Sequence, residues 1–246
     1  MKIIFLGTNG WYDTKTGNTV SVFIKTKKEY IILDAGNGFY KIDEYIESEK
    51  PIYLFLSHFH FDHIAGLHIL NKFNFRQGIK IYGPAGLKKA ISTFIKQPYS
   101  MPLKNLKTKI ILHELDKKVK LPFKFEFRKL FHTSLCYGYK FYLENKIISY
   151  CTDTGLCDNL YFLAKNSDVI ITECSYKSGQ EVKNWPHLNP EKAATLAKKS
   201  NAKKLYLTHF DSSIYKNITD RKNAEIAAKK IFRNTVAATD NLTISL

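Results

Sequence analysis

Short runs of β-branched and aromatic residues recur along the chain at strand length. They predict strands at 2–6, 19–25, 30–34, 52–57, 79–82, 108–113, 123–131, 137–143, 146–151, 168–172, 204–208 and 242–245. Between them, stretches with apolar residues at helical spacing, or rich in Ala and Lys, predict helices at 39–48, 63–73, 84–96, 157–165, 190–200 and 219–233. Two helices carry start signals: Asn189 precedes Pro190 ahead of "EKAATLAKK", and Pro84 opens "AGLKKAISTFI". Strands arrive in groups with helices interspersed, which argues for sheets packed together and covered by helices. With no low-complexity linker and no repeat of fixed short period, one domain spanning 1–246 is the simplest account.

Composition narrows the class. At 246 residues the chain can bury a full core, and 44% hydrophobic with 14% aromatic residues excludes a disordered or fibrous protein. No window approaches 18 consecutive apolar residues, and "MKIIFLGTNGWYD" meets Gly and Asn too early for a signal-peptide apolar region. The expectation is a soluble, cytoplasmic protein without a membrane partner. Cys136, Cys151, Cys157 and Cys174 form no C-x-x-C pair and are expected to be reduced core thiols.

A net charge of +16 raises the question of nucleic acid. Only four of the 38 basic residues are Arg, however: Arg76, Arg128, Arg221 and Arg233. Arg is the side chain that grips phosphate bidentately. The lysines are spread over "KTKK", "KNLKTK", "DKKVK" and "KKSNAKK". The charge reads first as a solvated surface and second as a preference for polyanions.

The chemistry concentrates in "SHFHFDHIAG", residues 57–66, where His58, His60, Asp62 and His63 follow the predicted strand 52–57. In extended chain, positions i and i+2 point the same way, so His58 and His60 can address one point. Asp62 and His63 sit where the chain turns into a helix and can serve a second point nearby. A lone histidine is usually an ordinary core or surface residue. Three within six positions at a strand end would be costly to leave unpaired, and neutral imidazole is the commonest metal ligand. The spacing suits two metals.

H-x-H-x-D-H is the signature of the metallo-β-lactamase superfamily, and the chain resembles that family from end to end. "FLGTNGWYDTKTGNT" and "IILDAGNG" look like its opening hairpins, and "IYGPAGLKKAI" like the segment after the first helix. "YCTDTG" looks like its bridging-aspartate motif, and "LYLTHF" like its final histidine. Order and wording are most similar to the ribonuclease Z-like phosphodiesterase branch. The resemblance implies an α/β protein, a four-layer αββα sandwich with the metals at one edge of two sheets.

It also implies a ligand set. His58, His60 and His132 would hold one metal, Asp62, His63 and His209 the other, and Asp153 would bridge them. His132, Asp153 and His209 each lie at or just past a predicted strand end, where loops carry sites. Imidazole and carboxylate without thiolate favour two zinc ions, with manganese or iron also compatible. His68 and His113 are expected to be structural or ordinary. Two such cations lower the pKa of a bridging water and stabilise the oxygens of an in-line displacement. Asp62 would then act as general base. His187 of "WPHLNPEKAA" resembles the additional catalytic histidine of the branch, with Glu173 of "ITECSY" as its acidic partner. On residues alone, His187 could instead cap the 190–200 helix and Glu173 could be a loop acid.

One departure matters. Ribonuclease Z proper carries a long Gly-rich arm for the tRNA elbow after the segment matching "HTSLCYGYKFYLEN", but here "NKIISYCTDTG" follows at once. The expected activity is therefore a binuclear metal-dependent phosphodiesterase on small cyclic or linear nucleotide-like phosphodiesters. The alternatives are an armless nuclease on RNA or DNA, a lactone or thioester hydrolase using the same metals, and a non-catalytic binding module. The resemblance also carries the expectation of a homodimer.

Overall fold

The computed structural model describes residues 1–115 and 119–246, so the Asp116–Lys118 part of "DKKVK" lies outside the described residues. The chain divides into two compact units. The first comprises Met1–Gly7, Asn18–Val119 and Asp240–Leu246, and the second Thr8–Gly17 and Lys120–Thr239.

The first unit is built on a seven-stranded sheet in the order Thr243–Ser245, Lys2–Gly7, Ser21–Lys25, Tyr30–Leu33, Ile52–Phe55, Ile79–Gly83 and Ile110–Glu114. Its first three junctions are antiparallel and its last three parallel. The central strands "YIIL" and "IYLF" are buried at every position, which is why they read as unbroken apolar runs. Their side chains pack with Phe39, Leu67 and Leu87 from the covering helical segments into one core.

Those segments depart from the sequence expectation. The stretches read as helices at 39–48 and 63–73 are 3₁₀ helices over Asn37–Glu44 and Ala65–Lys72, the second preceded by a single α turn, Phe61–Ile64. The buried Lys41 ammonium donates to the carbonyl of Leu6 at 2.6 Å and lies 3.1 Å from Asp240. Those two contacts anchor the first 3₁₀ segment to the strand Lys2–Gly7 and to the Asp240 side chain. Likewise Pro84 does not open the next helix. It runs over Leu87–Phe94 from Gly86, whose N–H, with that of Lys88, donates to the Glu114 carboxylate. A side chain on a neighbouring strand thus supplies the cap.

The second unit carries a six-stranded sheet in the order Thr235–Ala237, Lys204–Thr208, Val169–Glu173, Lys146–Cys151, Tyr137–Leu143 and Lys124–Lys129. The first three junctions are parallel and the last two antiparallel. Helices Asp158–Ala164, Pro190–Lys199 and Ile218–Lys229 supply Leu160, Leu163, Ala194, Leu196, Ala224 and Ala228 to its core. Asn189 accepts from the Lys192 N–H at 2.9 Å with Pro190 in the first turn, as its sequence signal predicts. The edge strand Thr235–Ala237 was not expected, since three residues give too little alternation to read.

The buried Arg221 of the last helix donates to Thr8 at 2.7 Å, to Thr16 at 3.2 Å and to the Asn9 side chain, and lies over the Phe210 ring at 4.8 Å. It thereby fastens the Thr8–Gly17 segment to Phe210–Asp211, where Asn9 and Gly10 form a short parallel ladder. Among the described residues no helix is long and apolar enough to cross a membrane. All four cysteines are free, and Cys136, Cys151 and Cys174 are buried, as core thiols should be.

Candidate active site

In the first unit, parallel register brings the first side chains together. Leu33 lies opposite Phe55, so Asp34 and Ser57, just beyond the two strand ends, are neighbours. The Ser57 N–H donates to Asp34 Oδ1 at 2.7 Å and its hydroxyl to Oδ2 at 2.8 Å. Asp34 Oδ2 also accepts from His63 Nδ1 at 2.8 Å, and Ser57 Oγ lies 3.0 Å from His58 Nδ1. With Nδ1 engaged on both rings, Nε2 is the atom each imidazole would offer to a metal, the usual way a supporting shell sets the tautomer.

The rings of His58 and His60 are 4.5 Å apart, and those of His58 and His63 are 4.1 Å apart. Asp62 lies 3.6 Å from His63 Nε2. His58 and His63 are fully buried, whereas His60 and Asp62 stay partly open to solvent. The four residues of the motif thus gather into one cluster.

The second unit repeats the device. Cys151 pairs with Thr172 and Glu173 with Thr208 in parallel register, so Asp153, Glu173 and His209 emerge along one sheet edge. Asp153 and His209 both have left-handed backbone, at φ 55° and 51°. A non-glycine residue held there costs about 1–3 kcal/mol and marks a position where side-chain direction outweighs backbone comfort. His209 Nε2 lies 3.2 Å from Asp153 Oδ1, while its Nδ1 sits 3.1 Å from the Ser175 hydroxyl. The backbone of Gly10 presses on the same imidazole: a Cβ there would fall 2.6 Å from His209 Cε1. His132, just past the strand Lys124–Lys129, has its ring 5.6 Å from that of His187.

Glu173 is not a loop acid. It ends a strand, is fully buried, and holds His187 Nδ1 at 2.8 and 2.9 Å from its two oxygens. The N–H groups of Thr154, at 2.5 Å, and Leu188, at 3.2 Å, also donate to it. Burial by itself would lower the His187 pKa. The Glu173 charge and hydrogen bond, aided by Asp153 and Asp211, reverse this and raise it to about 9. The helix cap considered for His187 is instead Asn189.

His68 is exposed, its Nδ1 bonded to the Ala65 carbonyl at 2.6 Å. His113 stacks on Tyr82 at 4.7 Å. Sequence reasoning missed Asp34, Ser57 and Ser175. The signal for Asp34 was an acid placed directly after an apolar strand in "IILDAG".

The chain matches the β-lactamase superfamily domain over residues 29–210. It is similar to the probable metallo-hydrolase YhfI of Bacillus subtilis, at 24% identity over 85% of this chain and 87% of that protein. The crystal structure of YhfI superposes with a TM-score of 0.83 at 22% identity, covering 99% of this chain and 98% of that one. Ribonuclease Z of Bacillus velezensis is 24% identical over 100% of this chain and 99% of its own length. A crystal structure of a diphosphatase from the PhnP family, at 17% identity, superposes with a TM-score of 0.75 over 100% and 97% of the two chains. The chain belongs to the β-lactamase superfamily, as a metallo-hydrolase with the metallo-β-lactamase fold.

Proposed function

We propose that this hydrolase is a binuclear metal-dependent phosphodiesterase acting on small cyclic or linear nucleotide-like phosphodiesters. The observation that carries the reading is the Glu173–His187 pair: a fully buried carboxylate whose two oxygens lie 2.8 and 2.9 Å from the imidazole Nδ1, beside His132 and His209. An alkoxide leaving from phosphorus needs a proton, and this pair is built to supply one. Within the first unit His58, His60, Asp62 and His63 cluster, and within the second Asp153 lies 3.2 Å from His209 with His132 just past a strand end; these are the donors we assign to the metals. Seven imidazole and carboxylate donors without thiolate suit zinc, and manganese or iron as well. Ions bound there would supply a water of lowered pKa and stabilise charge on the attacking and departing oxygens.

The chain's own residues do the rest. Asp62 orients the attacking water and takes its proton as the new P–O bond forms. His187 gives its Nε2 proton to the departing oxygen as the old P–O bond breaks. Glu173 keeps that imidazole oriented and favours its charged form throughout.

The backbone supports a small substrate over tRNA. Between Tyr137–Leu143 and Lys146–Cys151, where ribonuclease Z proper inserts its arm, stands a two-residue turn of Glu144 and Asn145, both at positive φ as in a tight hairpin. Among the four arginines Arg221 is buried, which leaves three exposed forks for phosphate. The net charge of +16 favours the second reading, an armless nuclease.

A substrate panel separates them. Hydrolysis of bis(p-nitrophenyl) phosphate or a cyclic nucleotide that salt barely changes, with precursor-tRNA binding lost near physiological salt, is expected. Tight precursor-tRNA binding with cleavage 3′ of the acceptor stem would promote the nuclease. Turnover confined to a lactone or thioester would end both phosphodiester readings.

A further inference from the structure

Beside the histidines of the second unit stands a ledge of exposed aromatic surface. Trp185 is 47% exposed and Phe131 55%. Singly such residues are unremarkable, but these two flank the chemistry: Phe131 precedes His132, and Trp185 stands two residues before His187. The Trp185 ring centroid lies 6.2 Å from that of His132 and 6.1 Å from that of His187.

Phe131 and Pro186 close over Gly155, where a Cβ would fall 2.8 Å from the Phe131 ring and 3.0 Å from Pro186. A side chain at 155 would collide with both, so Phe131 and Pro186 pack on the same backbone, with Trp185 the residue next to Pro186 along the chain. The backbone under Trp185 is fixed as well. Its carbonyl accepts from the Tyr176 hydroxyl at 2.7 Å, and its N–H donates to Val182 at 3.3 Å. A half-exposed indole on anchored backbone beside the proposed proton donor can serve as a stacking platform, because every nucleobase offers a π-face whatever its identity.

We infer that Trp185, with Phe131 beside it, stacks the base of a nucleoside on the leaving-group side of the substrate. The assignment rests on the phosphodiesterase reading, which puts the departing oxygen at His187. A pentose between that oxygen and its base spans a distance of the order of the 6.1 Å separating the two rings. The ledge recognises a ring and not a sequence, so purine nucleotides of either kind should bind, and sugar phosphates lacking a base should bind poorly. Trp185 is a specificity residue and transfers no proton.

The test compares adenosine 5′-monophosphate with ribose 5-phosphate as competitive inhibitors of bis(p-nitrophenyl) phosphate hydrolysis by the metal-loaded protein. Quenching of Trp185 fluorescence is followed in a Trp11→Phe background. The nucleotide should inhibit at about 5- to 150-fold lower concentration than the sugar phosphate, the worth of one stacked base. Trp185→Ala should abolish that ratio, and Trp185→Phe should restore most of it. Equal inhibition by the two compounds in the wild type, or a ratio unchanged in Trp185→Ala, overturns the assignment. Quenching by the nucleotide but not by the sugar phosphate, with no phosphodiester hydrolysed, would uphold the platform and remove the phosphodiesterase reading. Hydrolysis without base preference would do the reverse, and neither hydrolysis nor quenching would remove both.

Discussion

Asp34 Oδ2 accepts a hydrogen bond from His63 Nδ1 at 2.8 Å, and both side chains are fully buried. The carboxylate is held by Ser57 as well, so it fixes the rotation and tautomer of a proposed ligand without being one itself. Asp34→Asn keeps the shape and removes the charge. It should weaken metal retention about 10- to 100-fold, the usual cost of losing a partner behind a ligating histidine. Metal titration of the purified variant measures this, and wild-type affinity in Asp34→Asn would show that Asp34 serves folding alone.

Purified protein should carry up to two transition-metal ions per chain, lose activity to a chelator and regain it with zinc or manganese. Asp153→Ala should lose more metal than His187→Ala, because Asp153 is proposed as a ligand and His187 is not. Elemental analysis of the two variants side by side decides the point. Full activity in metal-free protein would exclude the mechanism.

His187→Ala should keep its metals while kcat falls by about 10²–10⁴ on a diester with an alkyl leaving group. The loss should shrink for p-nitrophenol, which departs without a proton. Equal losses on both leaving groups would mean that His187 is not the acid.

The pH dependence follows from the sign of the His187 shift. Its folded pKa, about 9, lies above the ordinary value of 6.5. The stabilisation it gives metal-free protein is therefore complete below about pH 6.5 and is lost as pH rises through about 9. Glu173→Gln removes the negative charge that raises this pKa, so the loss should move to lower pH. The alkaline limb of kcat/KM should move the same way. A thermal-unfolding series against pH and a pH–rate profile test the two halves, and an alkaline limb that does not move would detach Glu173 from the proton donor.

Much of this protein is legible in its sequence, because its chemistry is written at strand ends. Apolar runs mark the central strands. A candidate ligand soon after such a run, as in "HFHFDH", "CTDTG" and "LTHF", is visible without coordinates. Local hydrogen bonding also suffices for the Asn189 cap, since donor and acceptor lie three residues apart. What depended on partners far along the chain was hidden. The 3₁₀ winding of Asn37–Glu44 accompanies the anchoring of Lys41 to Leu6 and Asp240, and the start of the helix at Leu87 involves Glu114. Asp34 acquires a role only because parallel pairing sets Leu33 opposite Phe55, and Glu173 reaches His187 only across a strand end and a loop. Composition and periodicity determine which segments become strands or helices and which side chains stand at their ends. Strand register and left-handed backbone at Asp34, Asp153 and His209 decide where those side chains aim, because a hydrogen bond between distant residues leaves no period in the sequence.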